Sequence, residues 1–180
     1  MMTGERGEFF VDKHLTESDW KRLGPLGGQQ RGLDGLYEHP SGAKIAVAIR
    51  ARQDAAQFDD LKPQAAEALK TRAEKGGAQG LFVALAVTGG DVDWSAGSAD
   101  PGQIVAIRAC TFEQSQKIAQ RNREAYAAEL YVRGEKRGQP RDQSGCRYAI
   151  GMDDLDPFDD VLAEIVEAAD ANPTPPEASE

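Results

Sequence analysis

The stretch Leu81-Phe82-Val83-Ala84-Leu85-Ala86-Val87 carries no polar side chain, and it constrains the fold more than any other part of the chain. It is too short to cross a bilayer as a helix. Its apolar character is continuous rather than alternating, the mark of an interior strand covered on both faces. Such a strand requires packed layers above and below it, and the surrounding sequence offers candidates for both. Residues 57–75 read as a helix with an apolar stripe of Phe58, Leu61, Ala65, Ala68 and Leu69. Pro63 falls near the first turn, where a missing amide matters least, and Gly76-Gly77 is a natural stop. After a Gly-, Asp- and Ser-rich loop over 88–103, residues 104–110 (Ile-Val-Ala-Ile-Arg-Ala-Cys) read as a second strand. A long helix over 113–131 follows, with Ile118, Ala125, Ala128 and Leu130 as inward candidates.

Upstream, residues 33–37 and 44–52 are two strand candidates joined by the turn Glu38-His39-Pro40-Ser41-Gly42, which reads as a hairpin. In the second strand Ile45, Val47 and Ile49 alternate with Ala46 and Ala48, so one face is bulky and the other narrow, and Arg50 and Arg52 end the narrow side. Residues 7–15 form an opening helix, and Thr16 or Ser18 offers a hydroxyl to cap a second turn or a continuation. Residues 24–32, with Gly24, Pro25, Gly27, Gly28 and Gly32, form a loop.

Residues 133–145 read as a polar surface excursion, and 147–150 as a short edge strand. In the helix 158–169, Phe158, Val161, Leu162, Ile165 and Val166 pack one face, and a frayed tail begins at Asn172. There is no internal repeat. The order of elements predicts an α/β fold, a mixed sheet flanked by helices with C-terminal helical additions. The expected organisation is an α/β domain over 1–150, an acidic helix packed on it over 151–171, and a flexible tail over 172–180.

Charge matters for the choice of partner. The formal net charge is -9, but ten acidic side chains and no Lys or Arg lie in 151–180. The first 150 residues therefore hold 20 acidic against 21 basic groups, a balance of +1. A nearly neutral body permits a local phosphate-binding surface. Its best candidate is the set Arg121, Arg123, Arg133, Lys136, Arg137, Arg141 and Arg147, with Arg133, Lys136, Arg137 and Arg141 at a Gly/Pro-containing loop suited to a phosphate backbone. The acidic run from Asp153 to Asp160 is suited to a basic partner or to covering that surface.

No secretory signal or membrane span is evident, so the expected location is cytoplasmic, and Cys110 and Cys146 are expected to be buried free thiols. Several chemistries lack their motifs. No Gly-x-Gly-x-x-Gly or Lys-Ser/Thr phosphate loop is present, and no Gly-x-Ser-x-Gly elbow. His14 and His39 do not combine with the cysteines at the spacing of a structural zinc site. Asp91 and Asp93, flanking Val92 before Trp94, read as a solvated loop.

The hairpin holds the most specific chemical signal. Divalent-ion nucleases place oxygen ligands on adjacent strands, where the ion activates water and offsets charge growing on the phosphate. Asp34 stands on the first strand, and fourteen residues later the second reaches Ala48-Ile49-Arg50. Gly32-Leu33-Asp34-Gly35-Leu36-Tyr37, followed by Ser41-Gly42 and a β-strand, resembles the hairpin of the restriction-endonuclease-like superfamily. The signature of that superfamily is an Asp followed by Glu-x-Lys on the neighbouring strand.

The resemblance covers residues 5–87 and implies a restriction-endonuclease-like fold. It places Asp34 as the metal-binding Asp, Ala48 at the Glu position and Arg50 at the Lys position, with Glu8 as the acidic residue of the opening helix. It further implies Mg²⁺ or Mn²⁺ held by Asp34 and Glu38, catalytic roles for Asp34, Arg50, Glu8 and Glu67, and a homodimer. Alanine offers no ligand, and the pattern allows Glu38, Glu67 or Glu8 to supply the missing carboxylate, with Gln53 and Gln64 as further polar candidates. Three functions stay open: a catalytically degenerate domain binding nucleic acid or a nucleic-acid-associated protein, a metal-dependent DNA endonuclease with a relocated carboxylate, and an acidic protein-interaction module.

Overall fold

In a computed structural model, residues 3–23, 32–53, 57–58, 62–87, 104–135 and 148–172 are described. The apolar run lies within β5 (Gln79–Val87), with β3 (Lys44–Gln53) parallel to it on one side and β6 (Ile104–Thr111) antiparallel on the other. The sheet is completed by β1 (Lys21–Arg22) and β2 (Gly35–Glu38) beyond β3, and by β8 (Asp156–Pro157) beyond β6. A second, two-stranded sheet pairs β4 (Gln57–Phe58) with β7 (Ile150–Gly151). The helices are α1 (Thr3–Glu17), α2 (Pro63–Lys75), α3 (Phe112–Glu135) and α4 (Phe158–Ala171). A parallel β3–β5 pair needs a crossover, and α2 provides it.

The two faces of β3 decide which helices go where. Ile45, Val47 and Ile49 join Leu81, Val83 and Leu85 of β5 in one apolar layer, covered by Phe10, Val11 and Leu15 of α1 and by Phe158, Val161 and Leu162 of α4. Ala46 and Ala48 join Phe82, Ala84 and Cys110 on the other face, covered by Ala66, Leu69 and Ala73 of α2 and by Phe112 and Ala119 of α3. Small side chains on that face let two helices approach closely. Gly80 shows how closely, since a Cβ there would lie 2.2 Å from the Phe112 ring. Among the described residues no helix is long and apolar enough to cross a membrane.

Several local expectations change. The helix expected over 57–75 starts only at Pro63, because Lys62 is held extended (φ -57°, ψ 141°), as a residue before proline prefers. Gln57 and Phe58 form a strand instead, paired with Gly151 and Ile150; of the edge strand expected over 147–150, Ile150 alone is in a strand, Tyr148 and Ala149 are not, and Arg147 lies outside the described residues. On α2, Ala66 and Ala73 are buried with Leu69, while Ala65 and Ala68 are exposed. On α3, Phe112, Ser115, Ala119 and Ala127 face inward, whereas Ala125 and Ala128 are exposed. The helix α3 runs through residues 133–135, the start of the expected excursion.

Its N-terminus is closed by Thr111 and Gln114, each side chain accepting the other's backbone N–H, at 3.1 and 2.9 Å. Thr16 caps no second turn, since its hydroxyl donates back to the Asp12 carbonyl within α1. Cys110 is a buried free thiol. Residues 24–31 and 88–103, where loops were expected, Cys146, and residues 173–180 of the expected tail lie outside the described residues.

Candidate functional site

Gly32, at φ +88°, turns the chain into the first strand of the hairpin. The ladder between β2 and β3 ends at Gly35↔Val47, with one more backbone bond from Asp34 N to the Val47 carbonyl at 2.8 Å. β3 continues past this point. Alternate residues of a strand point their N–H and C=O groups to the same side, so Ile49 presents the next pair toward a neighbour that β2 no longer provides. Two side chains take its place. The Ile49 N–H donates to Asp34 Oδ2 at 2.6 Å, and Arg50 Nη1 donates to the Ile49 carbonyl at 2.8 Å. Arg50 Nη1 lies 4.0 Å from Asp34 Oδ2, so the pair closes the open corner of the hairpin.

Burial raises the pKa of Asp34, more than the Ile49 N–H and the Arg50 guanidinium lower it. The Asp34 side chain is 23% exposed and that of Arg50 41%. Ala48, the residue after Val47 on β3, is fully buried in the layer under α2 and α3. The structure thus brings Asp34, Ala48 and Arg50 to one corner.

The other candidate carboxylates have separate engagements. Glu38 is at the turn end of β2, paired with Lys44 at 3.4 Å; four residues of strand put it roughly 13 Å from Asp34. Glu67 is exposed on α2 and accepts a hydrogen bond from Gln116 Nε2 of α3 at 3.2 Å. Gln64 is exposed on the same helix. Glu8 is half-buried on α1, one residue after Gly7, which rests on Ile49 and Ala51, and its charge acts on Tyr37. Arg133 is described only as a backbone position in α3, and the side chain of Gln53, together with Lys136, Arg137 and Arg141, lies outside the described residues.

A divalent ion needs converging oxygen ligands. Ala48 offers none, one oxygen of Asp34 already accepts a backbone N–H, and a guanidinium stands beside it. Among the described residues no three His, Cys, Asp or Glu side chains form a group able to hold a metal ion. The described donor set therefore does not fit the ion that the hairpin resemblance implies. What the corner offers instead is a guanidinium tethered at one nitrogen, beside one carboxylate already used by the backbone.

Of two further groups, sequence reasoning missed the one at Tyr37 and gave the one at Asp154 only in outline, as an acidic run suited to covering the surface of Arg121 and Arg123. Tyr37, fully buried, donates to Asp12 Oδ1 at 2.9 Å, and Arg22 Nη1 stands 3.4 Å from the same oxygen. Burial and then the Asp12 bond push the Tyr37 hydroxyl far above its ordinary pKa. On the opposite side of the sheet, Asp154 accepts from the Arg121 guanidinium, from Asn122 Nδ2 at 2.8 Å and from the Gly151 N–H at 2.9 Å. That fastens the 148–157 segment to α3, where Arg123 also stacks on Tyr148 at 4.3 Å. For Tyr37 the sequence signal was an aromatic residue at the end of a short strand pattern, and for Asp154 it was the acidic run from Asp153 to Asp160 set against Arg121 and Arg123.

The sequence matches no protein-family model and no curated protein. Among solved structures, the chain is similar to the 1.6 Å structure of Hjc from Archaeoglobus fulgidus, a Holliday junction resolvase from an archaeal hyperthermophile. The match has a TM-score of 0.52 at 12% identity and covers 90% of this chain and 97% of that one. At such identity the likeness speaks for the fold alone. The chain has the restriction-endonuclease-like architecture of that neighbour, a mixed sheet flanked by helices with helical additions at its C-terminus.

Proposed function

We propose that this chain is a catalytically degenerate nuclease-like domain that binds nucleic acid without cleaving it. One observation carries the reading. In a restriction-endonuclease-like fold, the position that the hairpin resemblance gives to the Glu is the buried Ala48, and one oxygen of Asp34 accepts the Ile49 N–H with Arg50 alongside. Hydrolysis of a phosphodiester by a bound ion requires ligands to hold that ion and activate water. The described corner lacks those ligands but keeps a cation in reach of solvent.

The test is a gel-shift titration of the full chain against plasmid, single-stranded DNA and RNA, beside a calorimetric titration with Mn²⁺. The reading expects retarded nucleic acid and no Mn²⁺ binding that depends on Asp34. Mn²⁺ binding and cleavage, both lost in Asp34→Ala, would instead establish an endonuclease whose second carboxylate comes from Glu8, Glu38 or Glu67. Failure to retard any nucleic acid, with capture of a basic protein through the acidic face of α4, would establish the interaction module.

A further inference from the structure

We propose that the corner formed by Asp34 and Arg50 receives a backbone phosphate of the nucleic acid directly, with no bridging divalent cation. In this arrangement Arg50 is the contact and Asp34 the residue that positions it. The inference rests on the nucleic-acid-binding reading above and specifies how that site works. A corner with two carboxylates and one lysine is net negative and repels a phosphate until a divalent ion enters. Here the three corresponding side chains are Asp34, Ala48 and Arg50, whose formal charges cancel. Ala48 carries no charge and is fully buried, so among the described residues the Glu position presents no second carboxylate to an arriving anion.

The guanidinium is also prepared for the contact. Arg50 Nη1 is tied to the Ile49 carbonyl at 2.8 Å, which fixes one end of the side chain, while the side chain as a whole is 41% exposed. An arginine held in this way has donors left for a phosphate oxygen and loses less rotamer freedom on binding than an untethered one. Asp34 acts one step removed. By accepting the Ile49 N–H at 2.6 Å it holds the strand edge whose carbonyl tethers Arg50.

The experiment is an anisotropy titration of a labelled DNA duplex with the full chain in EDTA, repeated over a range of salt concentrations and again with Mn²⁺. Wild type is expected to bind in EDTA, with no gain from Mn²⁺. Arg50→Gln is expected to weaken binding about tenfold, as loss of one charge-assisted contact does. It should also flatten the dependence of log affinity on log salt by about one. Arg50→Lys should restore the slope but only part of the affinity, since lysine keeps the charge and loses the fork.

The positioning role separates two variants of equal charge. Asp34→Asn keeps an acceptor for Ile49 and is expected to bind more tightly than Asp34→Ala, which does not. Equal affinities for these two would overturn the role given to Asp34. Binding lost in EDTA and regained with Mn²⁺, or an unchanged salt slope in Arg50→Gln, would overturn the direct contact while leaving nucleic-acid binding intact. Absence of binding by wild type under every condition would instead overturn the reading on which the inference rests.

Discussion

Replacing Asp34 by Ala and by Asn separates what its oxygen does from what its charge does. Asp34→Ala leaves the Ile49 N–H, now bonded at 2.6 Å, without an acceptor at the point where β2 has ended. A buried backbone donor left unpaired costs about 1–3 kcal/mol. The half-exposed pair with Arg50 at 4.0 Å adds at most about 1 kcal/mol. Against this stands the relief of no longer burying a carboxylate, the effect that raises the Asp34 pKa. The expected net loss for Asp34→Ala is about 1–2 kcal/mol, or roughly 3–6 °C in Tm for a chain of this size.

Asp34→Asn keeps an acceptor and drops the charge, so it should lie within about 0.5 kcal/mol of wild type or above it at neutral pH. A folded-state pKa raised above the unfolded value contributes stability that is full under acid and is lost as pH rises through the folded pKa. Wild type should therefore gain on Asp34→Asn as pH is lowered toward the unfolded Asp pKa of about 3.9. Urea denaturation of the three proteins between acid and neutral pH measures this. Equal stability of Asp34→Ala and Asp34→Asn at neutral pH would refute the edge-closing role of the side chain.

Other outcomes follow from packing and burial. Ala48→Glu, which restores the carboxylate of the nuclease signature, puts a charge into the fully buried layer under α2 and α3. It should cost about 3 kcal/mol or more in a melting experiment without creating Mn²⁺ binding by calorimetry; a stable, Mn²⁺-binding variant would show that the corner still has room for a metal. Gly80→Ala forces a Cβ to 2.2 Å from the Phe112 ring and should destabilise the fold by about 1–3 kcal/mol by urea denaturation. Burial, with the charges of Asp156 and Asp154, pushes the Cys110 thiol up to about 12. In a Cys146→Ser background, Cys110 should thus resist a thiol reagent at pH 8 until urea unfolds the chain, and rapid labelling of folded protein would contradict its burial.

The sheet core was legible because its chemistry is periodic. Ile45, Val47 and Ile49 against Ala46 and Ala48 announced two different faces, and the run from Leu81 to Val87 announced a strand covered on both. The two-residue strands β1, β4 and β8 were hidden and β7 was met only at Ile150, since a pair of residues has no period and exists only through its partner. The helix registers of α2 and α3 shifted for a related reason. Ala65, Ala66, Ala68 and Ala73 are alike in hydrophobicity, and only the neighbours of Leu69 decide which are covered.

At the candidate site, the hairpin resemblance was enough to expect Asp34 and Arg50 near each other. The use of Asp34 as a partner for Ile49 depends on where β2 stops, which a turn-and-strand pattern does not specify.

The most direct test of the central claim is one reaction that reads binding and cleavage together. The full chain is mixed with supercoiled plasmid in Mn²⁺, and half of each sample is run native and half after protein removal. Retarded plasmid in the native lanes that is recovered intact in the others is the predicted result. Nicked or linear plasmid that accumulates with time, and does not in Asp34→Ala, would contradict it.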